Sequence, residues 1–89
     1  MAVWGLDVQQ VRQLSSQLKG KAGDIQGILS QLTSALASTQ WTGPDAEQFR
    51  SDWSGQHTAA LKNVIAALED ASQKASSNAS AQESTSSSL

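Results

Sequence analysis

Few residues in this chain could do chemistry, and they stand apart from one another. There is one histidine, His57, and there is no cysteine and no tyrosine. A lone histidine cannot build a multi-histidine metal site within one chain. The lack of cysteine removes thiol chemistry, disulfides and Cys-ligated zinc. No Ser or Asp signature surrounds His57 as a nucleophilic triad would require. Asp24, Asp52, Glu69 and Asp70 form no pair arranged for acid–base work and are expected on solvated faces. The hydroxyls of residues 72–88 have no base placed to activate them. The chain is therefore expected to be no enzyme and to carry no cofactor or metal. Two readings are open for His57. It is a histidine on an apolar helix face, satisfied by a neighbour or by water, or it is a candidate pH-sensitive residue that loosens an assembly as it protonates near about pH 6.

Charge and hydropathy exclude further classes. Six Lys and Arg against eight Asp and Glu give a net charge of −2. The cations Arg12, Lys19, Lys21, Arg50, Lys62 and Lys74 are scattered, so no basic stripe offers itself to nucleic acid. No apolar run approaches the ~20 residues of a membrane span. The polar faces are rich in Gln and Ser rather than Lys, which argues against strong lipid binding. Residues 1–8 lack the charged and apolar regions of a Sec-type signal peptide, so export would have to use a leaderless route.

What remains is a chain of 89 residues, enough for one small domain, built from two amphipathic stretches around Trp41-Thr42-Gly43. The first stretch predicts a helix over 7–39. Asp7 is a good N-cap, Gln10 completes a capping box, and Leu6 and Val11 are spaced as a hydrophobic staple. Its apolar stripe is Val11, Leu14, Leu18, Ala22, Ile25, Leu29, Leu32 and Leu36, stepping by three or four throughout. Gly20, Gly23 and Gly27 fall opposite that stripe, as tolerated glycines on a solvated face or as a bendable or flat strip. The second stretch predicts a helix over 44–75, with Pro44 in its first turn and Asp45 and Glu47 at the positive end of its dipole. Its stripe is Ala46, Phe49, Trp53, His57, Ala60, Val64, Leu68 and Ala71, widened on one flank by Leu61 and Ile65. Half of the residues from Ser76 onward are serine, so residues 76–89 are expected to be a disordered tail.

The connection 40–43 is short, which makes the two helices antiparallel neighbours. Glycine at Gly43 permits a tight corner, and Trp41 covers the end of the interface with one large apolar body. A two-helix hairpin has no third element to cover its remaining apolar surface. Phe49, Trp53, Val64, Ile65 and Leu68 cannot all point at the first helix. Small scaffolds without disulfides or metals usually complete their core by oligomerising. The expected fold class is therefore all-α: an antiparallel helical hairpin that dimerises into a four-helix bundle. The dimer and core interface is assigned to Leu14, Leu18, Ile25, Leu29, Leu32, Leu36, Phe49, Trp53, Val64, Ile65 and Leu68. Trp4, ahead of the N-cap, is expected to strap the end of the bundle. Leu89 is either a chance terminal residue or an aliphatic group that docks elsewhere.

The central Trp41-Thr42-Gly43, the downstream Ala46, Phe49 and Trp53, the chain length and the leaderless, cysteine-free composition resemble the Trp-x-Gly (WXG) family. These are small helical hairpins exported by type VII secretion systems of actinobacteria and Firmicutes. The resemblance extends over the chain up to its tail. It implies pairing with a second copy or with a sibling hairpin. It also implies export of the folded dimer from the cytoplasm, engaged by the membrane-bound ATPase of the secretion machine, so the protein would be cytoplasmic before export and secreted after it. In the actinobacterial branch a Tyr-x-x-x-Asp/Glu signal follows the second helix, and the turn motif of one subunit and the tail of the other form one surface. Carried onto this chain, Trp41, Thr42 and Gly43 are the turn motif and the export surface, either as a structural corner, as a surface read by the ATPase, or both. With no tyrosine in the sequence, the signal would come from a partner chain or take another form. The rival expectation is an intracellular adaptor or chaperone hairpin that masks a helical face of a larger secreted toxin.

Overall fold

A computed structural model describes residues 7–88, and these form an all-helical hairpin with no strand. Helix α1 spans Val8–Ser38. Asp7 begins it as expected, in an extended conformation, its carboxylate accepting a hydrogen bond from the Gln10 backbone N–H at 3.1 Å. Helix α2 spans Pro44–Asp52, a π-helical turn follows at Trp53–His57, and α3 spans Thr58–Ser88. These last three are consecutive and make up the returning arm. Trp4, Leu6 and Leu89, and with them the expected strap, staple and terminal docking group, lie outside the described residues.

The two arms pack along a seam with alternating three- and four-residue spacing. On α1 its members are Val8, Val11, Ser15, Leu18, Ala22, Ile25 and Leu29; on α3 they are Thr58, Leu61, Ile65, Leu68, Ser72, Ala75, Ala79 and Gln82. All of them are buried or half-buried. This is the heptad pattern of left-handed helix pairs. Cross-links fix the antiparallel register. The Ser15 and Ser72 hydroxyls each donate to the other residue's backbone carbonyl at 2.8 Å. Near the corner, the Trp53 indole N–H donates to Thr33 Oγ1 at 3.0 Å. At the open end, Arg12 Nη2 pairs with Glu83 Oε1 at 3.0 Å.

Three expectations need correction. First, Leu14 is 49% exposed, and Ser15 takes its place in the seam. The backbones come within reach of each other's hydroxyls here, so a small residue with its own hydrogen bond fits where leucine would hold the helices apart. Second, the returning stripe changes phase at the π turn. The Thr58 N–H and hydroxyl both bond the Trp53 carbonyl, five residues back. A π turn holds more residues than an α turn, so the apolar stripe moves on by one position. Thr58, Leu61 and Ile65 enter the seam, while His57, Ala60 and Val64 turn out to solvent. Third, the segment expected to be disordered from Ser76 is helical to Ser88. Ala75 and Ala79 continue the seam, Ala79 with no exposed surface, and the Arg12–Glu83 pair holds the segment's outer face.

Gly20, Gly23 and Gly27 lie exposed within an unbroken α1, and a Cβ at any of them would meet nothing within 4 Å. They belong to the solvated face.

Candidate functional site: the hairpin corner and its apolar flank

Helix α1 ends without a left-handed cap. Thr39 is extended at φ −79°, ψ 129°, and its N–H reaches the Leu36 carbonyl at 3.4 Å. Its hydroxyl turns back to the Ala35 carbonyl at 2.6 Å. Gly43 then makes the bend, with φ 116° and ψ 174°. That region is essentially reserved for glycine. The Gly43 carbonyl accepts from the Glu47 N–H at 3.0 Å and so starts α2, with Pro44 in its first turn. Ala46 is fully buried beneath the corner.

Two side chains from α2 hold Trp41. The Phe49 ring lies 5.5 Å from the Trp41 ring, tilted by 53°, a geometry aromatic pairs favour. Arg50 donates from Nη1 to the Trp41 carbonyl at 2.7 Å and from Nη2 to the Thr39 carbonyl at 3.0 Å. The aromatic pair nevertheless faces water: Trp41 is 39% and Phe49 45% exposed. Trp41, Thr42 and Gly43 thus stand together at one end of the molecule, and Phe49 joins them. Trp53 stands further along, half-buried against α1.

A second apolar surface runs down one side of the hairpin. At about 100° per residue, Leu14 and Leu32 lie about 60°, and Ile28 about 100°, to one side of the seam at Leu29. On α3, Val64 lies about 100° to the same rotational side of Ile65. In antiparallel helices the same sense of rotation leads to the same face, so these residues share one flank. All four are exposed, between 45% for Val64 and 51% for Ile28. The other interface candidates Leu18, Ile25, Leu36 and Leu68 are half-buried, and Leu29 and Ile65 are buried inside the hairpin. The opposite side is polar, with a shallow groove lined by Ser15, Lys19, Gly23, Glu69, Ser72 and Gln73.

Sequence reasoning missed Ile28 and Arg50. Ile28 stands four residues before Leu32 and fourteen after Leu14, which is the helical spacing that could have found it. Arg50 had no local signal, because its acceptors lie in the preceding connection. His57 is exposed, with its ring 6.4 Å from that of Trp53, so it sits beside the seam and not within it. Among the described residues no three His, Cys, Asp or Glu side chains are grouped to hold a metal ion, and no helix is long and apolar enough to cross a membrane. Asp24 and Asp70 are exposed partners of Lys21 and Lys74. Compared with known protein families, curated proteins and solved structures, the chain matches none.

Proposed function

We propose that this hairpin is a small non-enzymatic protein that pairs into a four-helix bundle and is exported folded through a type VII secretion system. It acts by protein–protein binding, with itself or a sibling hairpin and with the secretion ATPase. The observation that carries this reading is the corner. An aromatic pair stays exposed at the end of a rigid rod while its backbone is fixed by Gly43 and Arg50. A residue needed only for packing would gain more by being covered, at about 25 cal/mol per Å² of apolar surface. The flank of Leu14, Ile28, Leu32 and Val64 supports pairing, because it is an apolar face that the hairpin itself leaves open. That same flank also suits the rival role, an adaptor that covers a helical face of a larger secreted toxin.

Export separates the two roles. Trp41→Ala should abolish appearance of the protein in the culture medium while circular dichroism of the purified variant keeps most of its helicity. Trp41 is partly exposed at one end of the seam, so its loss should cost less than the ~3–5 kcal/mol typical of a buried Trp→Ala. Normal export of the variant would leave the Trp-x-Gly turn a structural corner only. Wild-type protein retained in the cytosol beside an active secretion system would favour the adaptor.

A further inference from the structure

Helix ends leave carbonyls without partners, and a cation in the last turn is a common remedy. Helix α1 has no basic residue in its last turn. The cation arrives instead from α2: Arg50 reaches back to the carbonyls of Thr39 and Trp41. It makes no ion pair among the described residues, although Asp45 and Glu47 lie in the same short helix. A guanidinium is a planar fork of several donors, suited to bridging two acceptors at once. Its acceptors here are the peptide oxygen of Trp41 itself and one two residues before it. Holding both fixes the backbone on either side of Gln40, and with it the direction in which the Trp41 side chain leaves the chain. Phe49, the neighbour of Arg50 in sequence, meets the ring from the side. Consecutive residues of one helix therefore set the backbone and the ring of the same tryptophan.

We infer that Arg50 is the positioning residue of the corner: it preforms the Trp41–Phe49 pair as a docking surface, and a lysine cannot replace it. The inference rests on the export reading above, and the geometry of Trp41 can be tested apart from that reading. Preorganisation removes an ordering cost from binding. Loss of the fork should lower the population of the docking-competent corner by roughly tenfold, the equivalent of about 1.4 kcal/mol.

The test uses full-length protein labelled with 5-fluorotryptophan, the Trp41 ¹⁹F resonance being assigned with Trp41→Phe. Arg50→Gln and Arg50→Lys should both shift or broaden the Trp41 signal. The Trp53 signal, held at Thr33 on the seam, should stay in place, and the helical circular dichroism should be unchanged. Export of both variants should fall roughly tenfold, in line with the population change. An unmoved Trp41 resonance would overturn the inference. So would full rescue by lysine, which would mean that charge and not the fork matters. Normal export of Arg50→Gln alongside blocked export of Trp41→Ala would overturn the docking role of Arg50 and leave the export reading standing. Normal export of Trp41→Ala would leave the Trp-x-Gly turn a structural corner and overturn the docking role of the Trp41–Phe49 pair, and the ¹⁹F signal alone would then decide whether Arg50 positions Trp41.

Discussion

At Gly43 the constraint is the backbone and not space. A Cβ there would meet nothing within 4 Å, yet φ is 116°. Gly43→Ala must either adopt a dihedral that L-residues avoid, at a cost of about 1–3 kcal/mol, or reopen the corner. Thermal unfolding should show a loss of that size, whereas Gly23→Ala on the exposed face of α1 should be neutral or stabilising. Equal effects at the two positions would mean that the corner is not under conformational constraint. Single residues also mark where sequence reasoning stops. The choice of Leu14 over Ser15 followed hydropathy, which ranks leucine above serine at any seam position. The structure reverses the order because Ser15 brings a hydrogen-bond partner, Ser72, from the far end of the chain. No local pattern announces such a pair, since each hydroxyl gains its acceptor only once the helices have met.

The boundaries of the elements were legible because caps are local. Asp7 opens α1 and Pro44 opens α2 where their sequence signals stand. The phase of the returning arm was not. An unbroken 3.6-residue period carries the stripe from Trp53 through His57 and Ala60 to Val64, and nothing in Trp53–His57 declares a π turn except a glycine. The seam residues Leu61 and Ile65 appeared in the sequence only as a flank. If the extra residue of the π turn sets the phase of α3, deleting Gly55 should turn Trp53–His57 into plain α-helix and leave Thr58, Leu61 and Ile65 on the α-helical face that follows Trp53, still in the seam. The melting temperature should then hold or rise, and the Trp53 indole should stay on Thr33, which the exchange rate of the indole proton reports. A large loss of stability with a freed indole would show that the extra residue does not set the phase of α3. The terminal segment from Ser76 misled for a different reason. Serine content spoke for disorder, while the alanines at 75 and 79 kept the seam spacing. Packing of two small residues and one ion pair to Arg12 outweighs weak helix propensity along that length.

The whole molecule is a rod of 68 × 17 × 16 Å. Its radius of gyration of 19.7 Å compares with about 12 Å for a compact domain of this length. It exposes 6590 Å², whereas a compact monomer of 9.3 kDa would expose about 5000 Å². The difference exceeds the ~800 Å² that each partner contributes to a standard protein–protein interface. Among the described residues, a hairpin this thin keeps only Ala22, Leu29, Ala46, Ile65 and Ala79 as buried apolar residues. That inventory is why pairing is proposed, and the flank of Leu14, Ile28, Leu32 and Val64 is where it is proposed to occur. Sedimentation velocity of the purified chain at micromolar concentration tests this most directly. The wild type should sediment as a dimer, and Val64→Glu, which places a charge on the exposed flank outside the seam, should shift it toward monomer. A wild-type chain that sediments as a monomer while fully helical and cooperatively folded would contradict the pairing on which the proposed function depends.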